Sequence, residues 1–215
     1  MRRGKDYLEE GMLFTDDIKE YLKCDEVIDF YYNDVSKLAD QLYSESESET
    51  EFVKMAYEYV RDMISHSADI SADTVTCSAS EVLKAGHGIC FAKSHLLAAI
   101  LRSKSVPAGF CYQKLILDDE TAPVLIYHGL NGVYLREYGK WIRLDARGNK
   151  PGVNAQFSID SEMLAFPIRP EKGEVDVPVI YADPDTEIVK TLQSYGLRSE
   201  LWDNLPMKLG YEMEG

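Results

Sequence analysis

The hydrophobic pattern of the chain changes its period at Pro107. Before this residue, apolar side chains recur at three- and four-residue steps, which is typical of amphipathic helices. After it, apolar and polar side chains alternate over short runs, which is typical of strands. The sequence therefore predicts helices followed by strands, and the most apolar helix, from Cys90 to about Arg102, belongs in the core.

The individual helices are predicted from their start signals and from the spacing of their apolar residues. Capping-box spacings begin two of them, at Ser48 and Ser78, and glycines end two, at Gly86 and Gly196. The predicted helices cover residues 15–22, 25–43, 49–64, 79–85, 90–102 and 183–195.

The strands are predicted over residues 110–117, 124–128, 133–136 and 141–145. Asn131-Gly132 and Tyr138-Gly139 are both hairpin signals. We favour a turn near Gly139, with Asn131-Gly132 as a bulge or a bend. After Gly148 the chain is predicted to be irregular until the last helix.

Charge and cysteine usage exclude several classes of protein. The net charge of −14 argues against a general nucleic-acid surface, because phosphate contacts depend on clustered cations. The basic start, Met1 to Asp6, leads into no apolar leader, and no run approaches the roughly 18 apolar residues of a membrane span.

The cysteines lack zinc-site spacing, so we expect free thiols in a reducing cytoplasm and no metal or cofactor. They are Cys24, Cys77, Cys90 and Cys111.

Cys90 stands at the first turn of the buried helix, just after Gly86 and Gly88. Unpaired backbone N–H groups and the helix dipole favour a thiolate at this position. A cysteine nucleophile also needs a base, and the base needs a third group that orients it. The candidate bases are His66, His87, His95 and His128. We favour His128 because a strand mounts it rigidly, whereas we expect His95 to be a surface or packing residue and His87 to contact substrate.

A hairpin would supply the orienting group. The midpoint between His128 and Asp145 lies within about two residues of the Tyr138-Gly139 turn signal, an offset that one bulge can absorb. Asp145 can therefore lie beside the imidazole of His128. Each of the three residues also has an ordinary structural explanation: a small buried cysteine, a half-buried histidine with satisfied hydrogen bonds, and an aspartate capping a strand end.

Three motifs in order resemble the transglutaminase-like superfamily, over about residues 51–150. They are Gly88-Ile89-Cys90 with the helix to Arg102 and then Val106-Pro107-Ala108, the strand residue His128, and Trp141 to Asp145. The resemblance implies a papain-like α+β fold, with a central cysteine-bearing helix packed on an antiparallel sheet and an N-terminal helical extension. It also implies that Cys90 is the nucleophile, His128 the base and acid, and Asp145 the orienting residue.

Some positions depart from the family pattern or are left open by it. Gly129 follows His128 where many members carry Ala-Trp, which predicts a different cleft wall. The backbone N–H of Cys90 is the default oxyanion donor. His66, His87 and Gln113 are the candidates for completing the oxyanion hole.

The resemblance implies a small bacterial-type enzyme that transfers acyl groups through a thiol, and we expect a cysteine protease or amidase. The alternatives are a protein-glutamine crosslinking transglutaminase, a non-catalytic peptide-binding module and, least favoured, a metal site. The expected substrate is a peptide, a protein or a small amide, with no nucleic-acid or membrane partner and the oligomeric state open.

One domain is expected, with N-terminal helices over 1–66, a catalytic core over 78–148 and a C-terminal wrap and helix over 149–215. We favour a wrap that completes the core over one that covers the catalytic face.

Overall fold

The computed structural model describes residues 13–212, so the basic N-terminal start considered above lies outside the described residues. The helices are α1 (Asn33–Ser44), α2 (Glu49–Met63), α3 (Ala79–Ala85), α4 (Cys90–Ser103), α5 (Thr186–Ser194) and α6 (Arg198–Trp202). The strands are β1 (Ser65–His66), β2 (His87–Gly88), β3 (Ala108–Asp118), β4 (Ala122–Leu135), β5 (Lys140–Leu144) and β6 (Val175–Tyr181). Short 3-10 turns occupy Glu20–Leu22, Pro170–Lys172 and Gly210–Glu212.

A four-stranded antiparallel sheet, in the order β5-β4-β3-β6, packs against α4. Residues 91–102 of α4 are all buried, and this helix also contacts α1, α2 and α3. The amide of Asn131 on β4 ties helix to sheet, because its Nδ2 donates to the carbonyls of Ser94 (3.0 Å) and Gly109 (3.1 Å). The predicted α+β architecture, a central cysteine-bearing helix on an antiparallel sheet, is confirmed.

The predicted caps are present where the sequence places them. The hydroxyl of Ser48 accepts a hydrogen bond from the backbone N–H of Glu51 at the start of α2. Ser78 and Glu81 form a complete capping box at the start of α3, and Gly86 ends that helix in the left-handed conformation with φ of 70°. Because Gly86 turns the chain sharply, β2 can pair with β1 immediately before α4 begins.

The helix predicted over residues 25–43 is wrong in its first part, since α1 begins only at Asn33. Asp25 Oδ1 accepts hydrogen bonds from the backbone N–H groups of Val27 (2.7 Å) and Ile28 (2.6 Å), which stabilises a local turn instead of a helix. Both oxygens of Asp29 are held by Ser80. The helix predicted over residues 15–22 is also shorter, a single 3-10 turn at Glu20–Leu22.

Two predictions for the second half of the chain are corrected as well. The turn at Gly139 is present, with φ of 62°, but Asn131 and Gly132 lie in an unbroken ladder and form no bulge. The region after Gly148, predicted as irregular, contains β6, which pairs with β3 at one edge of the sheet. Pro178 lies within β6, where the edge position tolerates a residue without an N–H.

Candidate active site

Cys90 is the first residue of α4 and is partly exposed. The parallel pairing of β1 with β2 sets His66 opposite Gly88, two residues before the cysteine. Cys90 therefore lies at the first turn of α4, and it lines the same cleft as His66 from the neighbouring strand.

His128 and Asp145 are in direct contact. The imidazole Nε2 lies 2.8 Å from Asp145 Oδ2, and the two residues are 5% and 1% exposed. The register of the β4–β5 hairpin pairs Asn131 with Leu144, so the ring reaches the carboxylate diagonally along the hairpin. The other carboxylate oxygen accepts the backbone N–H of Arg147 at 3.1 Å.

These contacts change the proton affinities of both side chains. Burial lowers the pKa of His128, but the charges of Asp145 and Cys90, together with hydrogen bonds to both, outweigh this and raise it well above its usual value. Burial raises the pKa of Asp145, but the charge and hydrogen bond of His128 and two backbone N–H donors lower it overall. The pair therefore favours an imidazolium held by a carboxylate. Because Nε2 faces Asp145, the other ring nitrogen is the one available to Cys90.

Cys90 and His128 open onto a cleft of about 550 Å³. One wall comes from the segment that follows the hairpin, since Phe166, Pro167, Arg169 and Glu174 line the cleft. The ring of Phe166 packs edge-on against the imidazole of His128, with centroids 5.2 Å apart. The segment between Pro151 and Pro184 therefore lines the cleft beside His128, and through β6 it also completes the sheet and the core, as the sequence favoured.

His66 also lines the cleft and is 8% exposed. Its Nδ1 lies 3.3 Å from the backbone N–H of Ala68 and accepts that hydrogen bond, which leaves Nε2 as the protonated nitrogen. Burial and the charge of Arg147 lower the pKa of His66 to about 3. The ring is therefore neutral at pH 7 and carries one N–H donor.

The other candidates from the sequence lie outside the cleft lining. His87 Nδ1 lies 3.0 Å from the hydroxyl of Ser67, so the structure does not place this residue in the cleft, and its substrate contact stays a prediction. His95 is 1% exposed and its Nδ1 contacts the carbonyl oxygen of Cys77 at 2.8 Å, as expected for a packing residue. Gln113 is paired with His128 across the sheet but is buried, and its Oε1 has no hydrogen-bond partner.

Sequence reasoning missed Lys93, one turn after Cys90. The side chain is fully buried, and its ammonium group donates to the backbone carbonyls of Ile64, Arg61 (3.4 Å) and Arg147 (2.9 Å). Burial and the charge of Arg147 lower the pKa of Lys93 to about 7. Lys93 thus joins the cysteine helix to the end of α2 and to the chain just after Asp145. The signal that could have found it is a lysine within the most apolar helix of the sequence.

Gly129 brings strand β4 very close to α4. A Cβ atom at this position would lie 2.6 Å from Cδ1 of Phe91, the residue after Cys90. Only a residue without a side chain fits this approach. The departure from the family's Ala-Trp pattern noted in the sequence therefore corresponds to direct packing of Phe91 on the strand.

Within residues 13–212, no group of three or more His, Cys, Asp or Glu side chains is placed to hold a metal ion. No helix in this part of the chain is both long enough and apolar enough to cross a membrane.

Comparison with known proteins gives one family match. The family model described as the transglutaminase-like superfamily matches residues 36–146. No curated protein matches the chain.

Several solved structures are similar to parts of the chain. A protein from Cytophaga hutchinsonii described as a "Putative Cysteine Protease" is 22% identical, with a TM-score of 0.49 over 62% of this chain and 43% of that one. A "Putative Protease" from Parabacteroides distasonis is 19% identical, with a TM-score of 0.42 over 70% of this chain and 30% of that one. The periplasmic domain of TgpA from Pseudomonas aeruginosa is 13% identical, with a TM-score of 0.45 over 60% and 46%. The matches therefore span less than half the length of each of these solved proteins.

The family match has a definite position in the fold. It begins within α1 and ends just after β5, so it contains the helix that begins at Cys90 and the hairpin that places His128 beside Asp145. Because this match covers just over half of the sequence, the chain belongs to the transglutaminase-like superfamily.

Proposed function

We propose that the protein is a cysteine hydrolase that cleaves peptide or other amide bonds through an acyl-thioester on Cys90. The observation that carries the proposal is the position of His128, whose Nε2 lies 2.8 Å from Asp145 Oδ2 while the residue lines the same cleft as Cys90. A thiol, an imidazole and an orienting carboxylate in this order are the parts that nucleophilic acyl transfer requires.

The reaction has two halves. His128 takes the proton of the Cys90 thiol, and the thiolate adds to the substrate carbonyl. When the tetrahedral intermediate collapses, the C–N bond breaks, His128 gives its proton to the leaving amine, and an acyl-thioester remains. His128 then takes a proton from water, the hydroxide adds to the thioester carbonyl, and the C–S bond breaks to release the acid and return the proton to Cys90.

The oxyanion formed in both halves needs hydrogen-bond donors. The backbone N–H of Cys90 is one, and we assign the second to Nε2–H of His66, which faces the cleft from β1. A neutral donor suits this role because the pKa of His66 is lowered to about 3, so the ring keeps the same single proton throughout the working pH range.

The test is direct trapping of the acyl-enzyme. The full chain is mixed with a peptide library, quenched in acid and measured by intact mass, and the adduct is located by peptide mapping. We expect the acyl group on Cys90, no adduct in Cys90→Ala, and an unchanged adduct in the matched control Cys24→Ser, since Cys24 is exposed and outside the cleft.

Other results would contradict the proposal. Peptide that binds without any acyl adduct or turnover would indicate a non-catalytic binding module. Transfer of the trapped acyl group to added amine in preference to water would indicate the crosslinking activity of a transglutaminase. The cytoplasmic location expected from the cysteines stays a prediction, and one of the similar structures is a periplasmic domain.

A further inference from the structure

Two positive charges of the cleft wall, Arg147 and Lys150, are already neutralised. Asp69 accepts hydrogen bonds from both guanidinium nitrogens of Arg147, one of them at 2.8 Å, and from the ammonium group of Lys150 at 3.0 Å. Hydrogen bonds and charges from these cations lower the pKa of Asp69 to about 2, although burial works against this. Arg147 is 7% exposed, so a substrate carboxylate would have to break an existing pair to bind it.

Arg169, the remaining arginine of the described cleft lining, is paired in the same way. Arg169 binds the buried carboxylate of Glu174 and also Asp119, at 2.7 Å from the latter. Asp118 accepts hydrogen bonds from the backbone N–H (2.6 Å) and hydroxyl (2.8 Å) of Thr121. Every cation among the described lining residues is thus paired with a carboxylate of the protein.

Much of the remaining cleft wall is apolar. Its side chains come from the start of α4, from the outer half of the β3–β4 hairpin and from α6 with the turn after it. They are Ile89, Phe91, Leu115, Ile126, Trp202 and Leu205. Leu115 and Ile126 are direct cross-strand partners. The last two residues of the set lie beyond the family match, so this part of the wall belongs to the chain's own C-terminal segment.

Contacts with the loop that follows β1 hold Trp202 in place. The guanidinium of Arg198 lies over its ring, 5.5 Å from the centroid, and Arg198 Nε donates to the carbonyl of Ala72 at 2.8 Å. Thr74 forms a bridge with Leu197 at the start of α6. Because this helix is attached to the chain that follows β1, the ring of Trp202 is held against the cleft before any ligand binds.

We propose that the cleft selects substrates by a large apolar side chain, aromatic or branched aliphatic, on the acyl side of the bond that Cys90 attacks, and that Trp202 is a specificity-determining residue. The inference rests on the proposed function. The volume of about 550 Å³ is in the range that holds a drug-sized ligand. An acidic side chain would lose its water here and find every cation of the described lining already paired, and a basic one would lose its water beside an apolar wall, whereas an apolar one gains by leaving water.

The experiment uses three peptidyl chloromethyl ketones that differ only in the residue beside the electrophile: phenylalanine, aspartate or lysine. The second-order rate of Cys90 modification is measured by intact mass on the full chain, and iodoacetamide reports the intrinsic reactivity of the thiol. We expect the phenylalanine probe to react at least about tenfold faster than either charged probe, as burial of one large apolar side chain predicts.

A variant pair locates the effect. Trp202→Ala is expected to slow the phenylalanine probe about tenfold and to leave iodoacetamide modification unchanged. The matched control is Met207→Ala, an exposed apolar residue of the same C-terminal segment outside the cleft lining, which should change neither rate.

Each outcome decides a different point. Equal rates for the three probes, or a faster charged probe, would overturn the apolar selectivity while leaving the proposed function intact. An unchanged phenylalanine rate in Trp202→Ala would remove the role of Trp202. Failure of all three probes at a Cys90 that still reacts with iodoacetamide would overturn the proposed function, and the inference with it. The comparison of probes on the unaltered chain needs no variant, so a poorly folding Trp202→Ala does not block the test.

Discussion

The backbone N–H of Ala165 donates to Asp145 Oδ2 at 3.0 Å, and this is the same oxygen that contacts the imidazole of His128. Asp145 lies within the family match, one residue before its end, whereas Ala165 belongs to the segment beyond it. The position of the Asp145 carboxylate therefore depends on a part of the chain outside the family match. The segment after the hairpin does two things: it lines the cleft, and it holds the carboxylate that contacts His128.

Replacing Asp145 by Asn removes the negative charge but keeps a side chain of the same shape. Because the carboxylate raises the pKa of His128 and orients its ring, we expect kcat/KM to fall by at least about a hundredfold. The measurement is turnover of a peptide identified by acyl trapping, with the thermal midpoint as a check on folding. Activity within threefold of the unaltered protein would show that His128 needs no carboxylate partner.

His66→Ala tests the oxyanion donor. We expect kcat to fall by about a hundredfold with little change in KM, since the lost hydrogen bond forms fully only with the oxyanion. Alkylation of Cys90 by iodoacetamide creates no oxyanion, so its rate should stay the same. His87→Ala is the matched control, because that ring contacts Ser67 and lies outside the cleft lining. Equal losses in both variants would indicate a structural effect.

The buried histidines make folding stability depend on pH. Burial lowers the pKa of His95 to about 4 and that of His66 to about 3, while the unfolded chain binds these protons near pH 6.5. The contribution of His95 and His66 to the free energy of unfolding is therefore fully present above pH 6.5. It is lost as the pH falls toward their pKa values in the folded protein. The pKa of His128 is raised instead, so its contribution to the free energy of unfolding is fully present below pH 6.5. His128 therefore does not change the pH dependence of stability below pH 6.5.

We expect the free energy of unfolding to fall between pH 6 and pH 4 by about 1.4 kcal/mol per pH unit for each buried neutral histidine. Denaturant titrations at several pH values measure this slope. His95→Gln should reduce the slope by one histidine's share, whatever its effect on stability at pH 7. A slope that is unchanged in the variant would show that His95 titrates normally in the folded protein.

Lys93→Met tests the buried ammonium group. The substitution keeps an apolar chain of similar length but leaves the carbonyls of Ile64 and Arg147 without their donor, so we expect a loss of at least about 2 kcal/mol in the free energy of unfolding. Lys84→Met, on the exposed side of α3, is the control and should change stability by less than about 0.5 kcal/mol. Similar losses in the two variants would contradict the role given to Lys93.

Local chemistry made much of the fold predictable. The capping boxes at Ser48 and Ser78 and the left-handed glycine at Gly86 each act within a few residues, so the sequence contains the whole interaction. The contact between His128 and Asp145 was also predictable, because one short hairpin with a turn at Gly139 brings them together.

The features that were missed depend on contacts between distant parts of the chain. Strand β6 forms because it pairs with β3, which lies far away in the sequence. Pro178 lies within β6, and a proline in a segment argues against predicting a strand from sequence propensity. Residues 25–32 have helical spacing, but Asp29 instead binds Ser80 across 51 positions of sequence. Likewise, nothing near Trp202 in the sequence indicates that α6 attaches to the chain after β1 and so reaches the cleft.

The close approach at Gly129 has a consequence for related sequences. Any side chain at position 129 would push Phe91 away from strand β4. Because Phe91 follows Cys90, the start of the helix that carries Cys90 would then move away from the strand that carries His128. A homologue with alanine or a larger residue at the position of Gly129 can keep the same separation of sulfur and imidazole only with a smaller residue at the position of Phe91. The two positions are therefore expected to covary across the superfamily, with glycine accompanying an aromatic residue and larger side chains accompanying small ones.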